Sequence, residues 1–244
     1  MITLYESRDH ILLCGDYSNP IYHSHMAAHM LISFAGTMRV ITDAEEFWCS
    51  GVLIPSGVPH RVETDGLPVL VFLYDCTSSV ARQIQRVRPI LKEDCDIISQ
   101  FYSQMKCNCS NDAYKRFEIA CLDALGLSRA TSMNLDGRIC EAVAYIQQHC
   151  CDKVSCKDVA DAVFLSQGRF SHLFREQVGM TFSAYLIYQR IICVYTNVIR
   201  GQSITEAAVA AGFSSSAHFA DVNRRLFGIT VSAITRDLIY LKVS

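Results

Sequence analysis

Between Ile11 and Tyr74 short apolar runs alternate with turn residues. Ile11-Leu12-Leu13-Cys14, Met30-Leu31-Ile32-Ser33-Phe34 before Gly36, Arg39-Val40-Ile41 before Asp43, Val52-Leu53-Ile54 before Pro55-Ser56-Gly57, and Val69-Leu70-Val71-Phe72-Leu73 have the length and composition of strands. Strands this short at this spacing predict a small β-barrel or jelly roll. The period then changes. Ile90, Leu91, Ile97, Ile98, Phe101, Tyr102 and Met105 recur on one face of a helix, and Tyr114, Phe117, Ala120, Cys121, Ala124 and Leu125 on a second. The polar run Lys106 to Asn111 joins them as a hairpin, and the small polar residues Ser128 to Asn134 read as an interdomain linker. Phe101, Tyr102, Met105 and Phe117 are more than a small barrel is expected to bury, so this pair either packs on the barrel or covers a second copy in a homodimer.

The remainder is helical and repeats itself. At a single offset of 49 residues, Ala162 falls on Ala211, Phe164 on Phe213, Ser166 on Ser215, Phe170 on Phe219, Arg175 on Arg224, Gly179 on Gly228 and Thr181 on Thr230. Ser155 with Asp158 and Ser203 with Glu206 have the spacing of capping boxes, and small residues dominate the helices they open. In the second copy Gly212 can take the left-handed conformation that ends a helix, whereas the first copy has Val163 there. Second helices are expected over 166–177 and 215–227. A connecting helix from Ser183 to Ile199 would be ~26 Å long. Successive major-groove segments on one face of DNA lie ~34 Å apart, so two such units can read one side of a bent or suitably spaced site.

Charge adds a modest signal. Residues 1–132 hold 11 Lys and Arg against 15 Asp and Glu, and residues 133–244 hold 11 against 9, so an acidic half precedes a weakly basic one. The first ten residues lack the basic segment and apolar core of a signal peptide, and no stretch reaches the ~20 apolar residues that span a bilayer. A cytoplasmic protein with no membrane partner is expected, and with it reduced thiols for most of the twelve cysteines. Cys107-Asn108-Cys109, and Cys150-Cys151 with Cys156, are the clusters that could bind metal or sense oxidants; neither has the spacing of a known zinc site.

The run Phe170-Ser171-His172-Leu173-Phe174-Arg175-Glu176-Gln177-Val178-Gly179-Met180-Thr181, Arg190, Ile204-Thr205-Glu206-Ala207-Ala208, Ala211-Gly212-Phe213-Ser214-Ser215, His218-Phe219 and Arg224-Arg225-Leu226-Phe227-Gly228 resemble the DNA-binding domain of the AraC/XylS family. In that family two helix-turn-helix units sit on a linker helix. The first half resembles a cupin. His23-x-His25, His29 and Gly36 match the first cupin motif, and Pro55-Ser56-Gly57-Val58-Pro59-His60 the second, although His29 stands where cupins usually have Glu and Cys49 where the second motif usually starts with Gly. The two resemblances support each other, since an N-terminal cupin is a common sensor or dimerisation half in these regulators.

The expected fold is therefore α+β, a cupin-like sensor barrel over 1–78, a helical dimerisation segment over 79–132, and an all-α double helix-turn-helix reader over 133–244. By resemblance, Ser166, Gln167, Gly168, Arg169, Ser171, His172 and Arg175 of the first unit face DNA, with Ser214, Ser215, Ser216, Ala217, His218, Asp221, Arg224 and Arg225 of the second. Asp221 stands where a basic or amide residue is usual, and a carboxylate there is repelled by phosphates unless it accepts from cytosine. Asn223 replaces a core aromatic, which predicts looser packing. His23, His25, His29 and His60 form either a first-row transition-metal site or the lining of an organic effector pocket. The implied function is a sequence-specific, effector-responsive transcription regulator and not an enzyme, with double-stranded DNA as partner and RNA polymerase as a second partner if it activates. A metal-dependent cupin enzyme with an appended helical domain is the alternative, and a degenerate protein-binding relative a further one.

Overall fold

The computed structural model describes residues 2–7, 9–16, 21–108, 110–129, 135–227 and 238–243, which group into two compact units, 1–132 with 224–244 and 133–223. In the first unit the described strands form two sheets. One runs in the order β10-β1-β2-β8-β3-β6-β9, from β1 (Ile2–Glu6), β2 (His10–Asp16), β3 (Ala28–Ser33), β6 (Gly51–Ile54), β8 (Pro68–Tyr74), β9 (Arg88–Ile90) and β10 (Leu238–Lys242). The other is β5-β4-β7, from β4 (Met38–Thr42), β5 (Glu46–Cys49) and β7 (His60–Glu63). The apolar runs of the sequence supply the central strands. β3 and β6 are buried along their whole length, whereas β4 and β7 alternate buried and half-buried positions as a one-sided strand does.

Helix α1 (Ser79–Gln83) is followed by α2 (Lys92–Cys107) and α3 (Asn111–Ala124), the expected hairpin. Tyr102, Met105 and Phe117, which suggested a second copy of the chain, are buried in the unit's own core together with Leu12, Met30, Phe72 and Tyr74. Ile90 belongs to strand β9 rather than to α2, and Ile97 faces out at 41% exposure. A close approach makes this packing possible. A Cβ on Gly51 would lie 2.6 Å from the Cys95 sulfur of α2 and 3.1 Å from the Leu31 carbonyl, so only glycine fits between β6 and the helix.

His10 is buried, with its Nε2 2.7 Å from the Tyr114 hydroxyl, and Arg129 binds both the buried Glu118 (2.8 Å) and Asp9 (2.8 Å). The guanidinium supplies the positive charge that these two carboxylates need.

The second unit contains α4 (Gly137–His149), α5 (Cys156–Ala162), α6 (Gln167–Val178), α7 (Phe182–Ile199) and α8 (Ile204–Ala210), with α9 (Ser216–Phe227) crossing its boundary. Both expected capping boxes are present, Ser155 with Asp158 and Ser203 with Glu206. Helix α7 carries aromatics at both ends. Phe182 and Tyr185 meet Phe170 and Phe174 of α6 at ring separations of 6.1 and 5.7 Å, and Tyr195 meets Phe219 of α9 at 6.2 Å.

Four expectations are corrected. The repeat does not keep one offset: Ser155 and Ala160 match Ser203 and Ala208, 48 apart, while Ser166 and Phe170 match Ser215 and Phe219, 49 apart. The Leu165 amide donates to Ala160 (2.9 Å) as that of Phe213 does to Ala208 (3.0 Å), so Phe164 and not Val163 is the counterpart of Gly212, and Ser214 is an extra turn residue. Gly212 has φ +83° and Phe164 φ +56°, both left-handed. Second, Asn223 is fully buried and accepts a 2.7 Å hydrogen bond from the Tyr195 hydroxyl, so its site is filled by a polar pair instead of being loosely packed. Third, Leu238–Lys242 pairs in parallel with β1, because its apolar run completes the edge of that sheet, and the last residues leave the helical domain expected over 133–244. Fourth, Cys151 is disulfide-bonded to Cys193, where reduced thiols were expected, and Cys156, which the sequence grouped with Cys150 and Cys151, is free. Gly228, Thr230, Cys109 and the 130–134 part of the linker lie outside the described residues.

Candidate effector site and DNA-reading helices

The four histidines of the cupin-like motifs converge. His29 sits within β3, its neighbours Ile54 and Leu73 on the flanking strands, and His60 opens β7. The segment with His23 and His25 is pinned beside them by backbone bonds, His23 and His60 exchanging both of theirs (3.0 and 2.8 Å) and Gly57 donating to the His25 carbonyl (2.8 Å). Ring centroids lie 4.0 Å apart for His25 and His29, 4.6 Å for His23 and His60, and 4.9 Å for His29 and His60. All four are no more than 5% exposed.

Second contacts fix the tautomers. His23 Nδ1 donates to the Ile21 carbonyl and His60 Nδ1 to the Val58 carbonyl, each at 2.8 Å, and a carbonyl can only accept. Nε2 of both rings therefore presents a lone pair, and neither has a hydrogen-bond partner; neither ring nitrogen of His29 has a partner either, and one of the two carries a lone pair. Burial holds His23 below the usual imidazole range and His25 and His29 well below it, and pushes His60 down to about 4. Ligating atoms of His23, His25 and His60 lie within 4.8 Å of one another. Neutral, buried imidazoles whose lone pairs converge are the donor set that a borderline transition metal takes, with Nδ1–H to carbonyl contacts orienting the ligands.

On the helical side, α6 and α9 bury Phe170, Leu173, Phe174 and Phe219, Val222 and turn their other faces to solvent. Gln167, Gly168, Arg169, Ser171, His172 and Arg175 are exposed on α6, and Ala217, His218, Asp221, Arg224 and Arg225 on α9. Ser166 and Ser215 are exposed too, but their hydroxyls cap helix starts by accepting from the amides of Arg169 (3.3 Å) and His218 (3.1 Å). Ser216 is half-buried, and exposed Ser214 lies 3.0 Å from His218 Nδ1. Two small amphipathic helices, each preceded by a short helix and a tight turn, stand on one long helix.

Residues 159–237 match a family model described as a helix-turn-helix domain. The helix-turn-helix repeat is of the AraC type. Relatives of this AraC-type domain include LumQ of Photobacterium leiognathi, a probable transcriptional regulator, 32% identical over 87 residues that cover 35% of this chain and 35% of that protein. PocR of Salmonella typhimurium, a regulatory protein, is 31% identical over 104 residues, 42% of this chain and 34% of that protein. The transcriptional activator RhaS of an Enterobacter species is 29% identical over 127 residues, 49% and 45% of the two chains. The match thus spans between a third and a half of these relatives. Over nearly the whole chain the fold is similar to that of ToxT from Vibrio cholerae, with a TM-score of 0.64 at 14% identity, covering 93% of this chain and 97% of that one. ToxT bound to an unsaturated fatty acid gives 0.62 at 13% identity, covering 93% and 95%. The relatives named here are regulators, and the reading as a metal-dependent enzyme is set aside.

Among functional neighbours that sequence reasoning missed, Cys193 carries no motif, since a cysteine in an apolar helix reads as core. Arg190 was noted only for its resemblance; it proves to bridge the Cys150 (2.9 Å), Asp152 (3.1 Å) and Gly212 (3.5 Å) carbonyls.

Proposed function

We propose that the chain is a sequence-specific DNA-binding transcription regulator whose cupin-like unit senses a first-row transition metal through His23, His25 and His60, with His29 beside them. The observation that carries the metal reading is the convergence of four buried imidazoles, with Nε2 of His23 and of His60 and the ring nitrogens of His29 lacking a hydrogen-bond partner. The depressed pKa values favour it over an anionic organic effector, because neutral imidazoles offer lone pairs to a cation and no positive charge to a carboxylate. ToxT has been seen with a fatty acid, which keeps an organic effector as the second reading. The bound ion would supply positive charge and link the strands that carry the histidines; no catalytic step follows from it.

DNA is the proposed macromolecular partner, bound through α6 and α9, as the exposed positions of both helices and the regulator names of the relatives support. Two measurements test the reading. Elemental analysis of protein purified without an affinity tag is expected to find about one metal per chain. Selection from random duplex DNA is expected to yield sites with two half-elements. No stoichiometric metal, together with no thermal shift on adding Zn, Fe, Ni or Cu salts, would turn the sensor assignment to an organic effector.

A further inference from the structure

Cys150 and Cys151 follow directly on α4, and Cys193 lies in the middle of α7, yet the three sulfurs fall within 4.8 Å of one another. Cys151 and Cys193 are bonded, and the Cys150 sulfur lies 3.9 Å from that of Cys151. The three are not equivalent. Cys150 is buried, and burial raises its thiol pKa, which keeps it protonated and unreactive. Cys151 and Cys193 are half-buried, so a small oxidant reaches them. Asn197, one turn along α7, donates from Nδ2 to the Cys193 sulfur at 3.6 Å.

The surroundings say what closing this pair would do. Arg190 lies one turn before Cys193 and holds the Cys150–Asp152 loop through two carbonyls. The same guanidinium lies against the turn of the second helix-turn-helix unit, 3.5 Å from the Gly212 carbonyl and 3.0 Å from where a Gly212 Cβ would stand. The loop that precedes α5, the linker helix and the second unit's turn therefore meet around one side chain, and the disulfide fastens that loop to the helix from which the side chain comes.

We infer that Cys151 and Cys193 form a peroxide-responsive dithiol–disulfide switch in the DNA-binding domain, with the oxidised form holding the two helix-turn-helix units in DNA-reading register. The chemistry balances. The Cys193 thiolate attacks one peroxide oxygen and the O–O bond breaks, which gives a sulfenic acid and, with one proton, water. The Cys151 sulfur then attacks the sulfenic sulfur, forms the S–S bond and expels a second water, so two thiols are oxidised as one hydrogen peroxide is reduced. A cross-link that fixes the loop to α7 preorganises both reading helices and removes ordering that DNA binding would otherwise have to supply.

This inference rests on the regulator reading for its DNA readout and on no other part of it. The full chain is reduced, treated with stoichiometric hydrogen peroxide, alkylated and digested, and its affinity for a selected DNA site is measured in both states. A peptide pair joined through Cys151 and Cys193 is expected, together with affinity about fivefold or more higher in the oxidised form. Cys193→Ser and Cys151→Ser are each expected to bind like the reduced chain and to ignore peroxide, while Cys107→Ser, at an exposed and unpartnered position, keeps the full response. Melting curves of the reduced proteins show whether the variants fold, and the peptide measurement on the unmodified chain needs no variant. No such peptide pair, equal or weaker affinity after oxidation, or a response that persists in both serine variants overturns the switch. Cadmium titration that engages all three thiols and protects them from peroxide overturns it in favour of a soft-metal site. Failure of every form to bind DNA rejects the regulator reading, and is told apart because the peptide pair is still observed.

Discussion

The Tyr195 hydroxyl of α7 donates to the Asn223 side-chain oxygen of α9 at 2.7 Å, inside the second helix-turn-helix unit where the first unit has Phe174 against Tyr185. Asn223→Ala removes that acceptor and opens a cavity at a fully buried position. It is expected to destabilise the helical unit by about 2 kcal/mol, and Tyr195→Phe by less, since the phenyl ring still fills its space. Urea titrations followed by circular dichroism check the order; equal midpoints for Asn223→Ala and the parent chain would contradict it.

The first unit is expected to do most of the base reading. His172 is exposed on α6 and can donate or accept at a base edge, while Arg175, exposed near the last turn, is expected to reach phosphate. His172→Ala should therefore change sequence preference, and Arg175→Ala should weaken every site and flatten the salt dependence. Selection experiments and binding at several salt concentrations separate the two. Equal losses for both variants on specific and random DNA would count against the assignment.

Asp221 is exposed on the outer face of α9. Replacing it with arginine changes the local charge by two units toward attraction to the backbone, so Asp221→Arg is expected to tighten non-specific DNA binding. Unchanged or weaker affinity at matched salt would show that this face does not approach DNA.

Phe164 holds φ +56° with its ring 93% exposed, so its left-handed backbone is not offset by burial of the side chain. A non-glycine residue there costs on the order of 1 kcal/mol, and glycine returns part of that as chain entropy on folding. Phe164→Gly is expected to raise stability by about 0.5 kcal/mol or more, read from denaturant midpoints. A lower midpoint would mean that the ring makes a contact worth more than the backbone strain.

The histidine cluster gives the metal-free protein a pH dependence. Burial depresses the imidazoles, His60 to about 4, so between that value and the unfolded pKa near ~6.5 the unfolded chain binds protons that the folded chain refuses. Stability then rises with pH across the window and is lost as the solution is acidified below ~6.5. Chelator-treated protein is expected to show a lower urea midpoint at pH 5 than at pH 7. A flat profile would mean that the cluster opens to solvent before it protonates.

The four histidines were legible because their spacing follows two known motifs, and the structure brings all four together. The long apolar strands were legible too. Strands β5 and β7 were not: β5 is only four residues long and leaves Glu46 and Trp48 exposed, and β7, His-Arg-Val-Glu, has a single apolar residue to mark it. β10 escaped for another reason: its partner lies some 230 residues away, and nothing in a local pattern announces a parallel edge strand. The single repeat offset failed because Phe164 and Phe213 coincide by residue type although one is exposed and the other buried.

The extra turn residue Ser214 has a practical meaning for anyone who wishes to exchange the two reading units. A residue added ahead of a helix would swing its outer face by about 100° if the turn did not absorb it. Here the turn absorbs it, and Phe170 and Phe219 keep equivalent buried places. Chimaeras joined at the start of the reading helices, after Ser166 or Ser215, should therefore preserve the docking face, while those cut inside α5 or α8 and aligned at the 49-residue offset would transplant a frameshifted surface. The two halves of the repeat are interchangeable parts only when the junction respects the longer elbow of the second.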